Sequence, residues 1–344
     1  MNMKYLSLAD SNVFKGLAIM LMLWHHLFYN CQQLYDEFGL LTYDVIEYTR
    51  VMAKLCVSIF VFISGYGLAV KAEKQGGIGS LKSFYRHRFT KLYLNYWYIW
   101  LLFVPISVFI FHRTLEMAYR ENILQSLVLD ILGVINCTGG TSYNPTWWFY
   151  SCIIILYAIF PFLYNIAKKD IVLTILFCIC VKYLPIDLIN PIKDFIYSFV
   201  AGLFFAIYSV HIRLLSSNKE IVIWVTLFIL TLIERNSIGT LADCVITCCM
   251  VKLYQSFNLN TKIKTVIAYL GKHSMNIFLI HTFIFNFWFM PYVYSSRNPI
   301  VIFIVLLLSC LVISVILEWG KGVIGINKII NNNYNSKIPN EDPY

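Results

Sequence analysis

The chain alternates long apolar runs with short polar breaks that are rich in basic residues. A membrane-crossing helix needs about 20 mostly apolar residues. Segments 14–33, 52–70, 92–111, 147–167, 170–186, 195–212, 220–234, 238–257, 274–291 and 299–319 reach or approach that length. The pattern predicts an all-α, polytopic transmembrane helical bundle of about ten helices, the fifth and seventh being the shortest. Residues 122–135 are apolar on one face but carry Gln125, Ser126 and Asp130. They predict an amphipathic helix lying on the outer surface. No internal repeat is visible, which leaves an inverted-repeat transporter without support. The first apolar run is too long for a cleavable signal and lacks a small-residue cleavage site, so it reads as a retained helix. Residues 1–330 are expected to form the membrane domain and residues 331–344, with their NNNYNS start, a disordered cytoplasmic tail.

Charge sets the expected orientation. The break 71–91 holds Lys71, Lys74, Lys82, Arg86, Arg88 and Lys91 against one acid, Glu73. The loop 34–50 holds Asp36, Glu37, Asp44 and Glu47 against Arg50. Basic loops stay on the cytoplasmic side, so 71–91 is expected inside, 34–50 and 112–146 outside, and both termini cytoplasmic. Hydrophobic residues make up 59% of the chain and charged residues 13%, too few charges to cover a soluble domain. The formal charge of +9 is spread as punctuation between spans, which argues for membrane lipids as partners and against nucleic acid. Most of the ten cysteines lie inside apolar runs, where free cysteine behaves as a small hydrophobe. None is paired with histidine at metal-ligand spacing, so no metal is expected. Cys31 and Cys137 fall in outer loops, where a disulfide is allowed but not required.

Ionisable groups within a membrane are costly, and each one there invites a functional reading. Lys15 and His26 stand eleven positions apart in the first run. At roughly 100° per residue they share a helix face, with His26 about 16 Å beyond Lys15 and near mid-bilayer. His25 points about 100° away. A histidine there can be a general base or can bond to a neighbouring helix. Arg88 and Lys91 share a face at the cytoplasmic mouth of the third run, beside Arg86; they suit phosphates, or anionic lipid headgroups. Asn144, Trp147, Trp148 and Tyr150 gather polar and aromatic groups at the outer end of the fourth run. They suit sugar rings, or an interfacial aromatic belt. The small residues Ser64, Gly65 and Gly67 suit close helix packing. His281 closes a run that opens with Gly271-Lys272-His273-Ser274, and its role is structural or functional.

In this order the features resemble acyltransferase family 3 of the membrane O-acyltransferases. The matching elements are Lys15-Gly16 to His26, the Phe-rich run Phe60 to Tyr66, Arg88-Phe89-Thr90-Lys91 with Tyr93 and Trp97 downstream, Trp148-Phe149 with Phe160-Pro161, and Gly271-Lys272-His273-Ser274 to His281. The resemblance spans residues 12–320. It implies helices around a pore, a catalytic role for His26 with Lys15, and acyl-CoA, chiefly acetyl-CoA, entering from the cytoplasm near Arg86, Arg88 and Lys91. It implies an acceptor hydroxyl on an envelope polysaccharide or lipid-linked sugar, bound near Asn144, Trp147, Trp148, Tyr150 and His281. The location would be the cell membrane, with multiple passes and room for a homo-oligomer. Lys91 stands where the family has a second Arg, and Leu94 where a Pro is common. A membrane sensor, a permease or a flippase for lipid-linked sugars is the alternative class.

Overall fold

A computed structural model describes residues 5–186, 190–208, 217–256 and 260–335. These residues are helical with no strand; Phe38 and Leu41 form one isolated bridge. Four helical stretches are long and apolar enough to cross a membrane: Tyr43–Lys74, Leu81–Phe109, Pro145–Lys169 and Pro299–Val323. Ile171–Tyr183 and Ile196–Ile207 are apolar but shorter. Ten spans were expected; among the described residues the other expected segments are shorter, more polar or interrupted helices.

The chain divides into two compact units. The first comprises residues 1–18, 55–79 and 155–271. It contains the start of α1 (Leu8–Leu27), α3 (Leu55–Lys74; α2 is Tyr43–Ala53), most of α7 (Trp148–Lys169), α8 (Ile171–Tyr183) and α10 (Ile196–Ile207; α9 is Asn190–Lys193). It also contains α11 (Ser217–Ile233), α12 (Arg235–Ile238), α13 (Thr240–Ser256) and α14 (Thr261–Lys272). Its helices meet backbone to backbone. A Cβ on Gly65 would fall on the Phe199 carbonyl oxygen, and one on Gly202 on the Phe62 carbonyl oxygen. Ser58 and Ser198 complete this α3–α10 seam, their hydroxyls 2.8 Å apart. Gly16 and Gly271 do the same for α1 and α14, against Ile267 and Asn12. Small residues are what allow helices to approach this closely in an apolar solvent, which is the packing expected for Gly65.

The second unit comprises residues 19–54, 80–154 and 272–344. It contains α2, α4 (Leu81–Phe109), α5 (Leu115–Tyr119), α6 (Ile123–Ile131), α15 (Ser274–Thr282), α16 (Met290–Val293), α17 (Pro299–Val323) and α18 (Ile326–Asn335). Asn298 caps α17, its side-chain oxygen accepting from Ile300 N and Val301 N, with Pro299 at the first helical position where its missing N–H costs nothing. α18 carries regular helix five residues into the segment read from composition as tail.

Two readings change here. α1 runs Leu8–Leu27 rather than to residue 33, so His26 stands in its last turn and not inside a continuing helix. The freed Leu27 carbonyl accepts from the Tyr294 hydroxyl at 2.6 Å and the Cys31 thiol at 2.7 Å. Cys31 and Cys137 are both buried free thiols, and burial pushes the Cys31 thiol up to about 11.

The second concerns α6, a helix of 9 residues whose polar side chains divide between exposed Gln125 and buried Asp130. Its apolar Leu124, Val128 and Leu132 are exposed, while Asp130 is buried. Its C-terminal end meets α4 around Asn95, the midpoint of that spanning-length helix. Four successive carbonyls are satisfied there by side chains. Asp130 O accepts from the Tyr96 hydroxyl (2.8 Å), Ile131 O from Trp97 Nε1 (2.8 Å), Leu132 O from the Tyr93 hydroxyl (2.9 Å) and Gly133 O from the Ser151 hydroxyl (2.6 Å). Helix ends leave such carbonyls without partners, and away from water each must find a donor. The chain then turns at Gly133, whose φ of +69° and contact with the Tyr150 ring exclude a side chain.

Candidate functional site

His26 ends α1 and His281 ends α15, and the two rings face each other with centroids 5.1 Å apart and planes 41° to one another. His281 is fully buried. Its Nδ1 lies 2.8 Å from Phe278 O and 3.2 Å from Ile277 O. Carbonyls only accept, so Nδ1 carries the proton and Nε2 presents a lone pair. The ring is further held by stacking on Phe285 and by Thr282 Oγ1, 3.4 Å from Nε2. His26 is half-buried, and no hydrogen bond reaches its ring nitrogens among the described residues. His25 lies on another face of α1, with Nδ1 2.9 Å from Arg50 O. The two neighbouring histidines have different partners: His25 bonds to α2, and His26 faces the second histidine.

After α15 the backbone widens into a π-helical turn, Phe283–Trp288, before α16. The helix expected over 274–291 thus widens just past His281 and is interrupted at Phe289. Widened turns of this kind are frequent at functional sites. Within the same stretch the Leu279 carbonyl accepts two side-chain bonds, from Asn144 Nδ2 at 3.3 Å and Trp147 Nε1 at 3.0 Å. Asn144 Oδ1 accepts in turn from Thr146 N (3.1 Å) and the Thr146 hydroxyl (2.9 Å), and Thr146 Oγ1 lies 3.1 Å from Thr282 Oγ1. A polar ladder, Asn144–Thr146–Thr282, therefore ends beside His281.

The polar and aromatic residues 144–150 divide between two neighbours. Trp147 is buried and used by Leu279. Tyr150 is buried against Tyr96, rings stacked 4.2 Å apart. Trp148 is half-buried and edge-on to Phe149. Asn144 and Trp147 are brought to the His281 helix, and Tyr150 turns toward α4.

The three basic candidates on α4 separate. Arg88 and Lys91 share a face, and Lys91 lies within electrostatic reach of Arg88, Glu318 and Lys321. One turn on, Asn95 Oδ1 accepts from Lys321 Nζ at 2.6 Å. Lys321 is buried and donates also to Asn276 Oδ1 (2.7 Å) and Glu318 Oε1 (2.8 Å). Asn276 Nδ2 reaches Glu318 Oε1 at 2.8 Å and the Ser314 hydroxyl at 3.0 Å, and His273 Nδ1 is 2.9 Å from that hydroxyl. Arg86 instead lines a shallow cavity of about 400 Å³ with Tyr85, Phe89, Thr90, Tyr93, Leu94 and Trp97. Residues two apart on a helix differ by about 200°, so Arg86 points away from Arg88.

Lys15 is half-buried on the part of α1 that belongs to the first unit. The Asn95–Asn276–Glu318–Lys321 cluster was not anticipated, although an acid and a base three apart inside a hydrophobic run, Glu318 and Lys321, is a signal for it. Asp130, read as a surface residue, is the other polar group that went unnoticed. Outside the spans, Arg297 binds Asp36 through both carboxylate oxygens (2.6 and 2.8 Å), and those bonds hold the Asp36 carboxyl below the usual range. Among the described residues no three His, Cys, Asp or Glu side chains converge as metal ligands.

Residues 8–319 match a family model described as an acyltransferase domain. No curated protein and no solved structure matches the chain.

Proposed function

The chain belongs to the acyltransferase-domain family, as a membrane acyltransferase, and from that premise we propose that it is an O-acyltransferase of the cell membrane. It takes an acyl group, acetyl in the simplest case, from cytoplasmic acyl-CoA. It delivers it to a sugar hydroxyl of an envelope polysaccharide or of a lipid-linked precursor. In this reading both termini and residues 71–91 are cytoplasmic and residues 112–146 external.

One observation carries the proposal. His26 has both ring nitrogens available beside a second histidine whose own tautomer is fixed by backbone carbonyls. A neutral imidazole at that place can take the proton of an acceptor hydroxyl as its oxygen attacks the thioester carbonyl. The carbon–sulfur bond then breaks, and the departing thiolate takes the proton back from the imidazolium. Arg88 and Lys91 would hold the donor's phosphates, where arginine offers two parallel N–H groups. Asn144, Thr146 and Thr282 offer amide and hydroxyl groups for the acceptor.

The test is the acyl content of the envelope polysaccharide, measured by mass spectrometry in cells with and without the gene and in cells carrying His26→Ala at equal membrane level. Loss of the acyl group in both supports the reading; unchanged acylation without the gene refutes it.

A further inference from the structure

Asp130 is a buried carboxylate whose partners are all hydrogen-bond donors and not cations. Oδ2 accepts from the Tyr119 hydroxyl at 2.6 Å and from the backbone N–H of Tyr143 at 2.8 Å. Oδ1 lies 3.1 Å from the Tyr96 hydroxyl. An unpaired buried carboxylate is expensive, and an acceptor-only group is suited to a place where every neighbour donates. Alanine would leave the Tyr119 hydroxyl and the Tyr143 N–H, both committed to Oδ2, without their acceptor.

What Asp130 holds is the residue before Asn144, through its backbone N–H. The Tyr143 N–H goes to Asp130, and the Tyr143 carbonyl accepts from Arg113 Nη1 at 2.9 Å. The Tyr143 hydroxyl donates to Arg113 O at 2.6 Å, and the Arg113 guanidinium lies 3.7 Å from the centre of the Phe287 ring. This residue is therefore clamped on both sides of its backbone. The next residue, Asn144, reaches the Leu279 carbonyl two positions before His281 and starts the ladder to Thr146 and Thr282. We infer that Asp130 is a positioning residue for acyl transfer, setting Asn144 and Thr146 against Thr282 and His281 and so shaping the acceptor side of the site. The inference rests on the acyltransferase reading above. It assigns Asp130 no contact with either substrate.

Displacements near 1 Å at a reacting centre typically cost about a hundredfold in rate. With purified full-length protein, acetyl-CoA as donor and de-O-acylated envelope polysaccharide as acceptor, Asp130→Ala is expected to lower kcat/KM for the polysaccharide about ten- to hundredfold. Its KM for acetyl-CoA stays within about twofold, and hydrolysis of acetyl-CoA rises relative to transfer. Tyr119→Phe, which removes one donor but keeps the ring, should shift the same ratio in the same direction by a smaller factor. Tyr119→Phe also keeps the question open to experiment if Asp130→Ala does not fold. A purely architectural role would lower the active fraction and leave both KM values and the hydrolysis-to-transfer ratio of the remaining enzyme unchanged, which would overturn the inference. Variants indistinguishable from an active wild type would overturn it alone; an inactive wild type would overturn it together with the acyltransferase reading.

Discussion

His26 and His281 stand ring to ring at 5.1 Å, yet only His281 has its Nδ1 occupied, by the carbonyls of its own helix. The asymmetry fixes the tautomer of His281, with its lone pair on Nε2, and leaves His26 free to adopt either tautomer.

His26→Ala is therefore expected to reduce transfer by about 10²- to 10⁴-fold, the usual contribution of a general base. His25→Ala should retain most activity, because His25 serves Arg50 O on another face. Activity should fall as pH drops through the imidazole ionisation, since only neutral imidazole accepts the proton. Polysaccharide acyl content in cells, normalised to membrane protein, measures both variants. Normal acylation by His26→Ala would rule out this mechanism.

Arg88→Ala should raise the KM for acyl-CoA about ten- to hundredfold, the range of a lost charged hydrogen bond. Arg86→Ala should leave it nearly unchanged, because Arg86 lines the aromatic cavity on a different face of α4. Steady-state kinetics of both variants with one donor decide the matter, and equal effects would contradict the separation of faces.

Glu318→Ala removes the only carboxylate bonded to the buried Lys321 among the described residues, leaving the ammonium on two amide oxygens. Uncompensated buried charge is strongly destabilising. With Glu318 itself partly exposed, the expected loss is about 1–3 kcal/mol, read as a lowered melting temperature in detergent. Lys321→Met, which removes the cation instead, should cost less.

Gly65→Ala should destabilise by about 1–3 kcal/mol, because the added methyl meets a carbonyl that cannot move without separating α3 from α10. Gly67→Ala, two residues on, meets nothing and should be neutral or stabilising by up to about 1 kcal/mol. Thermal unfolding of the two variants side by side checks the seam.

Single cysteines placed at positions 80 and 140 of an otherwise cysteine-free protein test the orientation. An impermeant thiol reagent added to intact cells should modify position 140 and spare position 80. The reverse pattern would invert the proposed topology and move the donor entrance to the wrong side.

The helical class, most segment positions and the spacing that singles out His26 were legible in the sequence, because they depend on properties carried locally along the chain. Apolar run length decides which segments leave water, and a turn of 3.6 residues decides which of His25, His26 and Lys15 share a face. The same arithmetic already separates Arg86 from Arg88. Tertiary structure alone decided which polar groups satisfy one another. Nothing near Asp130 in the chain announces that Tyr96 and Tyr143 will supply its donors, and nothing near His26 announces His281. Lys321 reads as one more basic residue at a membrane border until Asn95, Asn276 and Glu318 converge on it. Away from water a polar group is stable only beside its partner, and that partner is supplied by a distant helix whose place depends on the packing of the whole unit.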